Sequence, residues 1–232
     1  MKWSHELTLF EKIWLSIFTV LNVVLFFMYQ DTIVSLVASL TGMICVLLAA
    51  KGNISNYLFG FINISLYSIL AFSEKFYGEF LLNVLYFLPM QIIGFYLWKK
   101  NQLGENREVI VKDMKKSSLV RYGFITIAAT VIVGFIFKKI GGHLPYLDSF
   151  ANILQIIALY LMVKCYVEQW YFWILTNLAT VIMWLITFIE FGGNIGLVIM
   201  WIAYLVNSIY GHYSWLRMKK EQGENSSSQI AI

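Results

Sequence analysis

Eight apolar runs dominate the chain and limit what it can become. They fall at about 10–29, 33–50, 54–73, 77–98, 120–140, 149–166, 169–190 and 194–216. Each approaches the ~20 residues that carry an α-helix across a bilayer. Inside hydrocarbon no water can satisfy a peptide group, so a spanning segment must close its own hydrogen bonds. The runs are long and continuous and do not alternate apolar with polar residues, which selects helices over barrel strands. Composition agrees: 13% of the residues are charged, against about 25% in a soluble domain. The expected fold class is an all-α membrane protein with eight transmembrane helices. The first run is too long for a cleavable leader and has no small-residue cleavage site, so no signal peptide is expected.

Charge sets the orientation. If the N-terminus is cytoplasmic and the chain alternates, fourteen Lys and Arg fall inside, from Lys2 and Arg107 to Lys220. Three fall outside: Lys75, Lys138 and Lys139. Basic residues are retained on the cytoplasmic side, so both termini are expected there. The net charge of +4 therefore reports topology rather than an affinity for nucleic acid. The loop 99–119 is expected to be cytoplasmic and mobile, its lysines topology determinants first and lipid-headgroup contacts second. The polar tail from Glu221 is expected to be disordered.

An internal repeat is visible. Run four ends Gly94-Phe95-Tyr96-Leu97-Trp98, and run eight ends Gly211-His212-Tyr213-Ser214-Trp215. Lys51 lies twelve residues before Asn63, and Lys164 thirteen before Asn177. Runs two to four thus read as one three-helix unit and runs six to eight as its second copy. Three spans reverse direction, so run five is needed as a linker helix to give both copies the same orientation. The expected organisation is an extra N-terminal helix (1–32), a first repeat (33–98), loop and linker helix (99–148), a second repeat (149–216) and a tail (217–232). Parallel duplication around a central site points to transport more than to catalysis.

Catalytic signals are nearly absent. His5, His143 and His212 lie at run edges, and there is no HExxH, GxSxG or Walker pattern. Cys45 and Cys165 are the two cysteines and form no CxxC pair, so neither a disulfide framework nor a zinc site is expected. No cofactor is implied. Glu79, Lys164, Glu168 and Glu190 all fall near run ends, so no carboxylate sits where a proton or sodium relay would need one. That pattern fits a facilitator. A membrane-embedded enzyme acting on lipid or nucleoside would need a reactive group at depth.

What remains at depth is neutral, polar and aromatic. Trp170, Trp173, Asn177 and Trp184 fall along one helical stripe with Thr180 between them. Asn56, Phe59, Asn63 and Tyr67 make a similar stripe in run three, where Asn63 is matched to Asn177. Run four adds Asn83, Tyr86 and Gln91, with Pro89 expected to kink the helix beside Gln91. Run six adds Asn152 and Gln155; run eight adds Trp201, Tyr204, Asn207 and Ser208. Carboxamides both donate and accept, as sugar hydroxyls require. Indole and phenol faces attract flat rings, cationic ones most strongly. One reading is a shared polar cavity for a ring-bearing, hydroxylated, neutral or singly cationic solute. The other is plainer: each Asn hydrogen-bonds a neighbouring helix and the tryptophans are packing anchors. No Arg or Lys lies mid-membrane to meet a phosphate, which disfavours a phosphorylated solute.

These residues resemble a known family. Asn53-Ile-Ser-Asn-Tyr-Leu-Phe-Gly-Phe-Ile-Asn63, which follows Lys51-Gly52, is similar to the NISNYxFGxIN stretch of the PnuC nicotinamide riboside transporters. Tyr166-Val-Glu-Gln-Trp-Tyr-Phe-Trp-Ile-Leu-Thr-Asn177 resembles their YVExWxxWxxxN, and Gly94-Phe-Tyr-Leu-Trp98 and Pro145-Tyr-Leu-Asp148-Ser149 also fit, so the likeness spans about 33–216. The resemblance implies a duplicated fold of the SWEET/SemiSWEET type in a bacterial inner membrane. It also implies uptake by facilitated diffusion, with a cytoplasmic kinase trapping the product by phosphorylation, and it makes Trp170, Trp173 and Asn177 substrate contacts. Asn63, Gln91, Asn152, Gln155, Tyr204 and Asn207 are added from spacing. Expected partners are the small solute, the bilayer and possible further copies of the chain, with no nucleic acid. The resemblance leaves thiamine or another B-vitamin or nucleoside open as the solute, since thiamine is also a ring-bearing cation.

Overall fold

The structure is a computed structural model that describes residues 7–29, 32–73, 77–102, 109–191 and 195–230. Lys2, His5, Lys75 and Arg107 lie outside the described residues, as does the side chain of Glu79. The described residues are almost wholly helical. Run one becomes α1 (Leu9–Tyr29), run two α2 (Ile33–Ala50) and run three α3 (Asn56–Ser73). Run four is α4 (Tyr77–Leu82), a π-helical turn over Asn83–Phe87, and α5 (Leu88–Lys100). Runs five to eight become α6 (Lys116–Lys139), α7 (Pro145–Val163), α8 (Gln169–Phe191) and α9 (Ile195–Ile230). Six of these rods are long and apolar enough to cross a membrane, and α3 contributes a shorter apolar helix. The chain divides into two compact units, 1–110 and 111–232.

In the first unit α1 opens with a capping box. Glu11 N–H donates to Thr8 Oγ1 and Thr8 N–H donates to Glu11 Oε2 at 2.7 Å. The same carboxylate oxygen is 3.1 Å from Lys51 Nζ, and both side chains are buried. Lys51 sits at the turn between α2 and α3, so this pair fastens the N-terminal helix to that turn. Gly52 there has φ +62°. Further on, Gly94 on α5 admits the ring of Tyr57, which meets Trp98 edge-on at 4.9 Å.

The π-turn at Asn83–Phe87 lies ahead of the place beside Gln91 where a kink is expected. Pro89 has no N–H and its ring crowds the carbonyl four residues back, which is that of Leu85 inside the wide turn. The strain is absorbed before the proline rather than beside Gln91.

The second unit repeats the turn. Lys164 (φ −82°, ψ −2°) and Cys165 (φ +63°) follow α7 as Lys51 (φ −84°, ψ 0°) and Gly52 follow α2. The hydrogen bonds match: Gly52 and Asn53 N–H reach Ala49 and Leu48 carbonyls, while Cys165 and Tyr166 N–H reach Met162 and Leu161. Gly211 admits the ring of Trp170 as Gly94 admits Tyr57, and Trp215 closes the stack at 6.0 Å.

Three expectations are corrected. The segment 109–115 of the expected mobile loop is tied down. Val109 N–H bonds Gly52 O, while Lys112 exchanges backbone hydrogen bonds with Cys165 and Val167. Met114 N–H donates to both carboxylate oxygens of Glu168, and Lys219 reaches Asp113 at 2.6 Å. The tail is not disordered through Ile230: α9 continues into it, supported by Arg217–Glu221 and Lys220–Glu224 pairs one turn apart. The run read as starting at 149 begins earlier, with Pro145 as the first residue of α7, where a missing N–H does no harm.

Candidate functional site

The stripe on α8 is real, but its members do different work. Trp170 is buried at 4% exposure, its indole lying over Gly211 where a Cβ would come within 2.2 Å. It is a packing residue of the α8–α9 contact. Trp173 and Trp184 are half-buried, and Trp173 packs at the edge of a cluster of Leu154, Ile157, Ala158, Leu161 and Phe172. Thr180 is buried and bonds back to the Thr176 carbonyl.

Asn177 is buried and holds α8 to α9. Its Nδ2 donates to the Tyr204 carbonyl and to Ser208 Oγ, both at 3.1 Å. Asn63 does a similar thing elsewhere, donating to the Ala38 carbonyl of α2 at 2.8 Å. Two amides matched in the sequence therefore serve different helix pairs. The turns supply the reason. Counting equally from Gly52 and Cys165 makes Thr176, not Asn177, the counterpart of Asn63. One residue of slip turns a helical side chain by about 100°, so the match of Asn63 to Asn177 is corrected.

The same count pairs Trp173 with Gly60. At Gly60 a Cβ would stand 2.5 Å from Gln91 Oε1, so the absence of a side chain lets the amide of α5 lie across α3. Gln91 is buried, and its Oε1 has no partner among the described residues. It lines a groove of about 200 Å³ in the first unit with Tyr57, Leu58, Phe61, Ile92 and Phe95. Where one unit places an indole, the other places an amide.

The remaining predicted residues divide. Asn152 turns back on its own helix, its Nδ2 donating to the Asp148 carbonyl and to Asp148 Oδ1 at 2.8 Å. Gln155 is half-buried. Tyr204 is half-buried and edge-on to Trp201 at 5.6 Å. Asn207 is buried. Spacing alone overlooked Gln169, which is fully buried with both amide atoms lacking partners among the described residues. It also overlooked Glu168, whose carboxylate receives the Met114 N–H. Both adjoin the aromatic stripe, but neither follows its period.

Comparison with known proteins places this architecture. A family model described as Nicotinamide mononucleotide transporter matches residues 32–217. A protein of Neisseria mucosa named nicotinamide riboside transporter PnuC is 37% identical over 94% of this chain and 86% of its own. The chain belongs to the PnuC family. A PnuC of Haemophilus influenzae is 30% identical, covering 91% of each chain. The PnuC of Escherichia coli is 24% identical over 86% of this chain and 92% of its own. A solved structure titled as that of the vitamin B3 transporter PnuC superposes with a TM-score of 0.79 at 34% identity, over 94% of this chain and 95% of the other. The family is one of multi-pass membrane transporters, not enzymes. The stretch from Tyr166 to Asn177 is divided by task. Val167 and Glu168 hold the segment 109–115, Trp170 packs on Gly211, Asn177 is buried against α9, and Trp173 is half-buried.

Proposed function

We propose that this protein carries nicotinamide riboside across a bacterial inner membrane by facilitated diffusion, with both termini cytoplasmic. The observation that carries this reading is chemical. The membrane-depth polar side chains of both units are amides, hydroxyls and indoles. Among the described residues, the acids of the spanning segments lie at their ends: Glu11 in the first turn of α1, Asp148 in that of α7, and Glu190 at the close of α8. Neutral amides suit a ribose and indole faces suit a pyridinium ring, while among the described residues no carboxylate is placed for ion coupling.

The names of the relatives differ over the solute. The matched family is described by a mononucleotide, the relatives by a riboside. A buried phosphate requires a cation, and the Lys and Arg residues of the described helices stand in their first or last two turns or in the extended end of α9. That supports the riboside.

In this proposal the two three-helix repeats, α2 to α5 and α7 to α9, are the bodies that rock, with α6 as the linker and α1 as an addition. The matching turns at Gly52 and Cys165 and the matching Gly94–Tyr57 and Gly211–Trp170 seats support the duplication. Phosphorylation by a cytoplasmic kinase would trap the solute, and self-association stays part of the proposal. The test is counterflow of labelled nicotinamide riboside in liposomes holding only this chain. Equilibration is expected to persist after all ion gradients are collapsed; its abolition by ionophores refutes a facilitator.

A further inference from the structure

The hydrogen bonds around Asn177 leave that side chain only one kind of contact to offer. A carboxamide has two N–H donors and one carbonyl acceptor. The Tyr204 group 3.1 Å away is a backbone carbonyl, which can only accept, so Nδ2 must face it. The second neighbour is Ser208 Oγ, also at 3.1 Å. A hydroxyl can donate or accept, but this one has a single hydrogen, which goes to the Leu205 carbonyl at 2.9 Å. Toward Asn177 it therefore presents a lone pair. Both amide hydrogens are engaged, the amide cannot flip without setting oxygen against oxygen, and Oδ1 is the atom left to meet anything else.

We propose that Asn177 is an acceptor-only contact whose polarity is fixed by Ser208, and that it selects for a hydrogen-bond donor on the transported solute. This rests on the reading of Asn177 as a solute contact. Ser208 is then a positioning residue: it touches no solute, and it acts by holding the amide in one orientation. Its burial at 2% exposure keeps water from competing for the Asn177 donor. The chemistry of the ligand follows. A carboxamide N–H or a ribose hydroxyl is accepted at Oδ1. A carboxylate or a ketone in the same place sets two acceptors face to face, with no N–H free to turn toward it. The site would thereby separate an amide-bearing ring from its acid counterpart.

The experiment is a binding panel on the purified full chain. The probes are nicotinamide riboside, the analogue with a methyl ketone in place of the carboxamide, and the ribosides lacking the 2′ or 3′ hydroxyl. The ketone is neutral and nearly isosteric, so it removes the donor and little else. One probe is expected to bind about tenfold more weakly, the equivalent of one good hydrogen bond. Which probe it is separates the carboxamide from a hydroxyl as the partner. That loss should disappear in Asn177→Ala, shrink in Ser208→Ala and return in Ser208→Thr, which restores the hydroxyl. If all probes bind wild type equally while Asn177→Ala still weakens binding, Asn177 touches the solute but does not select a donor, and the inference is overturned. An unchanged discrimination in Ser208→Ala overturns the positioning role. If Asn177→Ala leaves nicotinamide riboside binding intact, the solute-contact reading itself fails. These comparisons are ratios on one protein sample, so a modest loss of stability in a variant does not disturb them.

Discussion

A methyl group added at Gly211 would lie 2.2 Å from a ring carbon of Trp170, and one at Gly94 equally near the ring of Tyr57. Neither ring can retreat, because Trp215 and Trp98 stand behind them fully buried. Overpacking of this kind typically costs 1–3 kcal/mol. Gly211→Ala and Gly94→Ala are each expected to lower the detergent melting temperature, and a smaller partner (Trp170→Phe) should partly rescue the first. No rescue would mean that the glycine matters for another reason. Cys165 is the converse case. It holds a left-handed φ of +63° where its counterpart Gly52 needs no side chain. An L-residue there carries a penalty of ~1–2 kcal/mol, so Cys165→Gly should raise the melting temperature or leave it level; a clear fall would show that the buried thiol contributes more than the strain removes. Single residues were also where the sequence was hardest to read. Asn63 and Asn177 share a residue type and lie twelve and thirteen residues after Lys51 and Lys164, and spacing alone matched them. A one-residue difference in distance from the turn separates them, and only the backbone at Gly52 and Cys165 reveals which residue is the origin of the count.

At the scale of the element, hydrophobic length was a sound guide and helix ends were not. The run assigned to 33–50 coincides with α2, because Thr32 caps it through the Ser35 N–H and Lys51 and Gly52 end it. Polar ends followed other rules. The tail after Trp215 looked too hydrophilic to order, yet one-turn ion pairs and the Lys219–Asp113 contact carry α9 onward. The loop before α6 looked mobile because charge dominates it. It is held by backbone bonds, which leave no mark on composition. Proline marked the irregular stretch of run four but not its form, since a π-turn is a backbone event with no side-chain signature. The segment 109–115 gives a prediction at this scale. The Glu168 carboxylate is buried against the Met114 N–H. Glu168→Ala, which leaves that donor unmet, should speed proteolysis between residues 109 and 115, while Glu168→Gln, which keeps an acceptor, should stay near wild type. Equal cleavage of all three would remove Glu168 as the fastening.

For the molecule as a whole, α1 is the informative part. The family match begins at residue 32 and so omits it, and from the sequence it read as an addition outside the repeat. The structure gives it a task, because the buried Glu11 carboxylate is the counter-charge of the buried Lys51 ammonium. Removing one partner of such a pair typically costs about 3–5 kcal/mol, since the other charge stays buried and alone. A chain truncated before residue 32 is expected to be markedly less stable than the full chain, and adding Lys51→Met to the truncation should recover much of the loss. If the truncated chain melts like the parent, the pair holds nothing that matters.

The length of α9 has its own consequence. Thirty-six residues at a helical rise make a rod ~54 Å long, whereas the oily layer is only ~30 Å deep. About 24 Å of an upright rod would therefore extend beyond the hydrocarbon. A fluorescent domain spliced onto that stub would sit on a stiff mast instead of a slack leash, and the polarisation of its light would report the lean of α9.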